Sequence, residues 1–327
     1  MPELPDVEGF RRTLDGVAGR RIARVDVADA GVLRGITARA FARRLKGRRL
    51  GHPYRHGKWL VAPTAQDGRD REAGVGGVRV VMLHFGMTGG LLTCPAGRER
   101  HPHDRVVLVM EDGSELRYRD QRKLQGIRLV DEETAERTLA RLGPDAMSVG
   151  EDEFEDVLAG RRGRVKAVLI DQSAVAGLGN LLADEILWRA RVNPARPARE
   201  VTAREGHRMH GEMRRVLRSA ARAGRVPDRP GWLTGHRDRP EPDCPRCGTA
   251  LRGGRIAGRH TMWCPHCQPD GKDGRDGALG PGGKDGRQPR RLLTPPGRPP
   301  AHPPRTPTTT AAASRPRRTR PRWSRGR

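Results

Sequence analysis

Two short cysteine pairs, Cys244-Pro-Arg-Cys247 and Cys264-Pro-His-Cys267, stand sixteen residues apart in a chain of 327. No other feature of the sequence restricts the fold as tightly. A C-x2-C knuckle turns two thiolates toward one point. Two knuckles separated by enough chain for a hairpin complete a tetrahedral set. The spacing predicts one Zn2+ held by Cys244, Cys247, Cys264 and Cys267. With all four corners filled by sulfur, the site is expected to be closed and structural. A disulfide framework suits an exported chain better than this one, and a redox C-x-x-C needs no second copy. The fifth cysteine, Cys94, stands alone in a strand-like stretch and is expected in the core. Between the knuckles lie Arg252, Arg255 and Arg259. They read either as a phosphate-contacting hairpin or as a solvated basic loop.

Those arginines belong to a larger excess. The chain carries 64 Lys+Arg against 39 Asp+Glu, a formal charge of +25. Such a balance points to a polyanionic partner, nucleic acid first. A membrane partner is disfavoured, because there is no long apolar run and the opening MPELPDVE is acidic and proline-rich, unlike a signal peptide. A cytoplasmic, nucleoid-associated protein is expected. Part of the charge lies outside any folded domain. Residues 268–327 hold 15 Lys+Arg, 4 Asp+Glu and 12 of the 27 prolines, which leaves +14 for residues 1–267. A segment of that composition buries too little apolar surface to offset chain entropy. Residues 269–327 are therefore predicted to form a disordered basic tail, able to hold DNA without sequence preference or simply solvated.

Along the chain, Leu4, Val7, Phe10, Leu14 and Val17 recur near helical spacing and predict an amphipathic helix over 3–18. From about 20 to 130 the pattern becomes short strands: 24–27, 58–62, 78–85, 106–110 and 115–119. A polar, glycine-rich loop is expected at 66–77. Beyond 130 the signal turns helical. Ser148-x-x-Glu151 and Thr202-x-x-Glu205 read as capping boxes for helices at about 151–160 and 203–223. Short helices are expected from Val165 and over 181–191, joined through the turn Gly177-Leu-Gly179-Asn180. Backbone amides around such a turn can face a phosphate. The run Arg161-Arg-Gly-Arg164 offers further phosphate contacts.

The fold class expected is α+β: an N-terminal helix and β-sandwich (1–130), a helical domain (131–225), a zinc finger (236–268) and the tail. Pro2 and Glu3 admit two readings. Proline opens helices well, and glutamate stabilises a helix N-terminus. Alternatively, loss of the initiator methionine would expose Pro2 as a secondary amine. An α-amino group has a reference pKa of about 7.7–8, so a nucleophilic fraction exists near neutral pH.

Three elements in this order resemble the formamidopyrimidine-DNA glycosylase and endonuclease VIII family of base-excision repair enzymes. They are Met1-Pro-Glu-Leu-Pro-Asp-Val-Glu8, the turn and helix from Gly177 to Glu185, and the four-cysteine finger with Arg259. The resemblance spans residues 1–268. It implies a bifunctional glycosylase and abasic-site lyase acting as a monomer on damaged double-stranded DNA. Pro2 would attack C1′ as nucleophile, with β/δ-elimination following. Glu3 would be the general acid/base, and Lys58 and Arg259 would grip phosphates at the lesion. It also implies a helix–two-turn–helix motif, with Lys166 and Asn180 as phosphate ligands. Met87 would fill the gap left by the flipped nucleotide, with His103 and Arg122 contacting DNA. Leu124 stands where the family often has an aromatic wedge. Leu4-Pro5 favours the formamidopyrimidine branch, but the segment 218–232 lacks a recognisable loop for closing over oxidised guanine. Two other readings stay open: an abasic-site lyase that excises bases poorly, and a non-catalytic zinc-containing binder of damaged DNA.

Overall fold

A computed structural model describes residues 1–66 and 79–269. The polar loop expected from 66 to 77, apart from Gln66, and the basic tail beyond Pro269 lie outside the described residues. The chain starts with helix α1 (Leu4–Asp15), then β1 (Ile22–Val27), α2 (Ala38–Leu45), β2 (Arg49–Leu50), β3 (Tyr54–His56) and β4 (Trp59–Ala65). Next come β5 (Arg79–His84), β6 (Gly90–Cys94), β7 (Asp104–Met110), β8 (Glu115–Arg119) and β9 (Gly126–Asp131). Helices α3 (Glu132–Leu139), α4 (Glu151–Ala159), α5 (Val165–Ile170), α6 (Asn180–Ala190) and α7 (Ala203–Ala223) follow, and the hairpin β10 (Arg252–Ile256) and β11 (Arg259–Trp263) ends the described fold.

The strands form two antiparallel sheets, ordered β1-β7-β8-β6 and β2-β4-β5-β9, with β3 paired to β4. Their facing sides share one core: Ile22, Val106, Leu108 and Tyr118 from the first sheet meet Leu60, Val81, Leu83 and Ile127 from the second. Helices α1 and α2 close it with Val7, Leu14, Phe41 and Leu45. On the second sheet's other face, Val61, Val80 and Met82 pack against Ala135 of α3. Covering both faces explains why β4 and β5 read as continuous apolar runs rather than alternating ones. Cys94 is buried, as its surroundings predicted.

The helical lobe has its own core, built by Phe154, Leu158, Val168, Leu182, Ile186, Met209, Met213 and Leu217. Leu4 joins this core although its helix packs on the sandwich, so the start of the chain is seated between the two lobes. The capping box at Thr202 forms: Glu205 N donates to Thr202 Oγ1, and Thr202 N donates to Glu205 Oε2. The one read at Ser148 does not. Helix α4 is capped by Gly150 without a side-chain bond, because the Ser148 hydroxyl turns back to the Asp145 carbonyl. Helices α2 and α3 were not visible as periodicity. Each is eight residues long, with Phe41 and Leu45 the only large buried side chains of one and Ala135 the only buried side chain of the other. No helix among the described residues is long and apolar enough to cross a membrane.

Candidate active site

The first residues of the chain end at the N-terminus of α6. Glu3 is fully buried (0 % exposed). Its Oε2 accepts hydrogen bonds from Gly179 N at 2.9 Å and Leu182 N at 3.2 Å, and its Oε1 accepts from Leu181 N at 2.8 Å. The amides that open α6 thus receive a carboxylate from the other lobe, the charge that a helix N-terminus favours. Leu4 N donates to Gly177 O at 3.1 Å. The two glycines of the turn are sterically required. A Cβ at 179 would fall 2.3 Å from Glu3 Cδ, and one at 177, where φ is +112°, would fall 2.5 Å from Leu4 Cδ1. Burial pushes the Glu3 carboxyl above its ordinary value, opposed by the Lys58 charge and the three amides. A carboxyl so raised retains a proton closer to neutral pH, as a general acid needs. Pro2, half-buried, precedes it directly, and Met1 is exposed.

Lys58 lies in the tight turn joining β3 to β4. Gly57, at φ +56°, brings that turn against the helical lobe, where a Cβ would meet Ala176 Cβ at 2.9 Å. Burial lowers the Lys58 pKa; the Glu3 carboxylate opposes this, and the Arg259 guanidinium adds to it. Glu3, Lys58 and Arg259 are therefore electrostatic neighbours although they come from three separate parts of the chain. The turn is fastened by Asp145, whose Oδ2 accepts from Gly57 N at 2.6 Å and whose Oδ1 accepts from Arg55 Nη2 at 3.0 Å. Asp145 was not legible beforehand, because its partners lie some ninety residues away in sequence.

The four cysteine Sγ atoms all lie within 4.8 Å of one another. Recorded separations are 3.5 Å (Cys247–Cys267), 3.6 Å (Cys247–Cys264) and 3.9 Å (Cys244–Cys267). Zinc–sulfur bonds of about 2.3 Å imply tetrahedral edges of about 3.8 Å, so the donor set fits Zn2+ with no open position. Trp188 of α6 donates its indole N–H to Cys244 Sγ at 3.3 Å, which docks the finger on the helical lobe. The β10–β11 turn has positive φ at Ala257 and Gly258, as a two-residue type I′ turn requires. Arg259 follows it and is exposed.

One residue departs from expectation. Lys166 is fully buried (0 % exposed) and is not presented to a phosphate. Its Nζ lies 2.6 Å from Asp184 Oδ1 and donates to Thr261 Oγ1 at 2.7 Å and His260 O at 3.0 Å. Asp184 also accepts from Met262 N at 3.2 Å and pairs with Arg237 at 3.3 Å. Lys166 therefore ties α5 and α6 to β11 beside Arg259. Its place in a short helical stretch gave no sign of this, because the burying partners come from α6 and from the finger.

A second group gathers on loops of the sandwich. Arg122 donates from Nη1 to Met87 Sδ at 3.2 Å, and its backbone N–H reaches Thr88 Oγ1 and Asp120 Oδ1, both at 3.1 Å. Asp120 N donates to His103 O at 3.0 Å. Leu124 projects nearby and is 50 % exposed. Arg161 is half-buried and paired with Asp171 at 3.2 Å. Asn180 opens α6, and its Oδ1 is buried with no hydrogen-bond partner among the described residues.

A buried carboxylate within the field of a desolvated lysine, brought together from separate parts of the chain, is the kind of perturbed charge pair that marks an enzyme's acid–base site. The family models agree on its lineage. "Formamidopyrimidine-DNA glycosylase N-terminal domain" matches residues 1–127, "Formamidopyrimidine-DNA glycosylase H2TH domain" matches 142–227, and "Zinc finger found in FPG and IleRS" matches 244–269. A formamidopyrimidine-DNA glycosylase of Symbiobacterium thermophilum is 38% identical over 288 residues, covering 82% of this chain and 90% of its own length. One from Streptomyces avermitilis is 35% identical, covering 82% and 98%. The Lactococcus lactis enzyme, solved with a Fapy-dG containing DNA, has the same fold at a TM-score of 0.72 and 24% identity, covering 82% of this chain and all of its own. The chain belongs to the formamidopyrimidine-DNA glycosylase family.

Proposed function

We propose that this chain removes oxidised or ring-opened bases from double-stranded DNA and then cuts the strand at the abasic site, through Pro2 as the covalent nucleophile. It is a DNA N-glycosylase of base-excision repair with the abasic-site lyase activity of its family. The observation that carries the residue-level reading is the seating of Glu3. A buried carboxylate held by three amides, next to Pro2 and within the field of Lys58, is poised for proton transfer at the sugar.

The steps follow from these groups. Removal of Met1 frees the Pro2 amine. A base must leave the helix stack before its C1′ can be reached. The Pro2 amine attacks C1′, the bond from C1′ to the base nitrogen breaks, and the base departs with the proton that the Pro2 nitrogen sheds on bonding. Glu3 protonates the ring oxygen as the sugar opens, leaving an iminium between Pro2 and C1′. The iminium acidifies C2′, whose loss of a proton expels the 3′ phosphate. A second elimination expels the 5′ phosphate. Lys58 and Arg259 offset phosphate charge at the lesion, and Asn180 and Arg161 add grip on the backbone. Met87 fills the vacated stack, Arg122 faces the orphaned base, His103 contacts the DNA and Leu124 acts as an apolar wedge. Zn2+ on the four cysteines holds the hairpin that carries Arg259 and takes no part in the chemistry.

We assign the sandwich as the catalytic domain and the helical lobe and finger as DNA-gripping domains, in a monomer that works on the nucleoid. A specific observation keeps an abasic-site lyase with weak base excision as a second reading. The segment after α7 is short and pinned: Thr234 Oγ1 donates to Pro227 O at 2.6 Å, and His236 Nε2 lies 2.7 Å from Pro230 O. It offers little free chain to close over an everted base. The deciding experiment is single-turnover base release and strand cleavage on duplexes carrying 8-oxoguanine, a ring-opened purine, an oxidised pyrimidine or an abasic site. Release of a damaged base at rates comparable to abasic cleavage supports the glycosylase. Cleavage of abasic sites alone supports the lyase, and neither activity would sink both.

A further inference from the structure

The C-terminal half of α7 carries a feature that the lesion site does not use. Arg215, Arg218 and Arg222 recur at three- and four-residue spacing and share one helix face, with Ser219 between them. Arg229, from the chain returning after the helix, faces the same groove, whose volume is about 600 Å3. All four arginines are exposed. Arg215 is paired with Glu212. No carboxylate among the described residues lies within ion-pair distance of Arg218, Arg222 or Arg229, although Asp228 is next to Arg229 in sequence.

Like charges three and four residues apart destabilise a free helix. The C-terminal end of a helix tolerates a cation, which accounts for Arg222. It does not account for three unpaired arginines that converge on one concavity from two segments. Such a groove complements a chain of anions. Its neighbourhood supports a nucleic-acid occupant. Gly224, which caps α7, packs against Gly9 of α1, and Arg12 of α1 donates to Ala221 O at 2.7 Å. Helix α1 begins at Leu4, directly after Glu3, so the end of α7 that carries the groove abuts the helix that leads from the active site.

We infer that the α7 groove is a second binding site for DNA backbone phosphates, outside the lesion cleft, with Arg218, Arg222 and Arg229 as its ligands. The inference rests on the chain being a DNA-acting enzyme, and it names an additional contact with that same polymer. Its role would be to hold undamaged duplex while the lesion cleft is empty.

The test is fluorescence anisotropy of the full chain on a long undamaged duplex and on a short duplex centred on an abasic analogue, titrated over a range of salt. Each phosphate contact adds about 0.9 to the slope of log affinity against log salt. The triple variant Arg218→Ala/Arg222→Ala/Arg229→Ala should lower that slope by about 2 to 3 on the long duplex only. The corresponding triple lysine variant should keep it, since a point charge suffices for a phosphate. An unchanged slope on the long duplex overturns the inference. An equal loss on the short duplex also overturns it, by placing the arginines within the lesion cleft. Abasic-site cleavage by the wild-type chain, measured in parallel, reports on the catalytic reading independently. Its absence would sink that reading and leave the salt slope fully interpretable.

Discussion

Replacing Gly179 with alanine tests the seating of Glu3 directly. A Cβ at that position would lie 2.3 Å from Glu3 Cδ and 2.5 Å from Oε1. Ordinary contact begins near 3.4 Å, so the carboxylate has to retreat by about 1 Å. Hydrogen bonds of 2.8, 2.9 and 3.2 Å cannot all survive such a shift. Bonds to a charged group contribute about 1.5–3 kcal/mol each, so losing two costs roughly 3–6 kcal/mol. The catalytic effect is separate: a misplacement of about 1 Å lowers rates by about 10²-fold. Urea denaturation of wild type, Gly179→Ala, Glu3→Ala and the double variant gives a complete cycle. In the Glu3→Ala background the clash partner is gone, and Gly179→Ala should cost less than about 1 kcal/mol, the scale of an ordinary surface change. An equal cost in both backgrounds would refute the reasoning, because the glycine would then be required for something other than Glu3.

Lys166→Met should destabilise the protein by about 3–5 kcal/mol, because the buried Asp184 loses its close partner and keeps only the longer pairing with Arg237. The salt slope of DNA binding should stay unchanged; a slope smaller by about 0.9 with little loss of stability would restore Lys166 as a phosphate ligand. His84 should make stability depend on pH. Burial, helped by the Lys58 and Arg128 charges, lowers its pKa from 6.5 to about 4. The unfolded chain therefore binds more protons between these values, so the contribution is complete above pH 6.5 and is lost as pH falls through about 4. Its size is at most about 3 kcal/mol, and denaturant midpoints of a His84→Gln variant should lack that acid-side fall. Zinc analysis should find one ion per chain. Its removal by chelation should change Trp188 fluorescence and weaken DNA binding while the β-sheet circular dichroism persists, since the finger and the sandwich have separate cores.

What could be read in advance was whatever local spacing encodes. The cysteine knuckles announced the finger, Thr202 and Glu205 announced the start of α7, and the apolar runs at Leu60 and Val81 announced strands. Glu3 and the glycines at 177 and 179 were each visible as motifs. That one fits against the other could not be seen, because a contact across 176 residues leaves no local pattern. The same reason hid Asp145, which fastens the Lys58 turn, and Asp184, which buries Lys166 against the finger. Lys166 shows the direction of such errors. A lysine in a basic protein of DNA-binding type reads as a phosphate ligand until its partners are known. Leu124 is the reverse case: an apolar residue on a polar loop that is half exposed.

The central claim is that the Pro2 amine forms the covalent bond to DNA. It is tested most directly by reducing the reaction with borohydride and sequencing the cross-linked peptide. The purified full chain, with Met1 shown by mass to be removed, is mixed with duplex carrying an abasic site or a damaged base. The account predicts a stable adduct on Pro2 that is absent from Pro2→Gly protein of unchanged zinc content. An adduct on Lys58 or another lysine, or none from correctly processed protein, would contradict it.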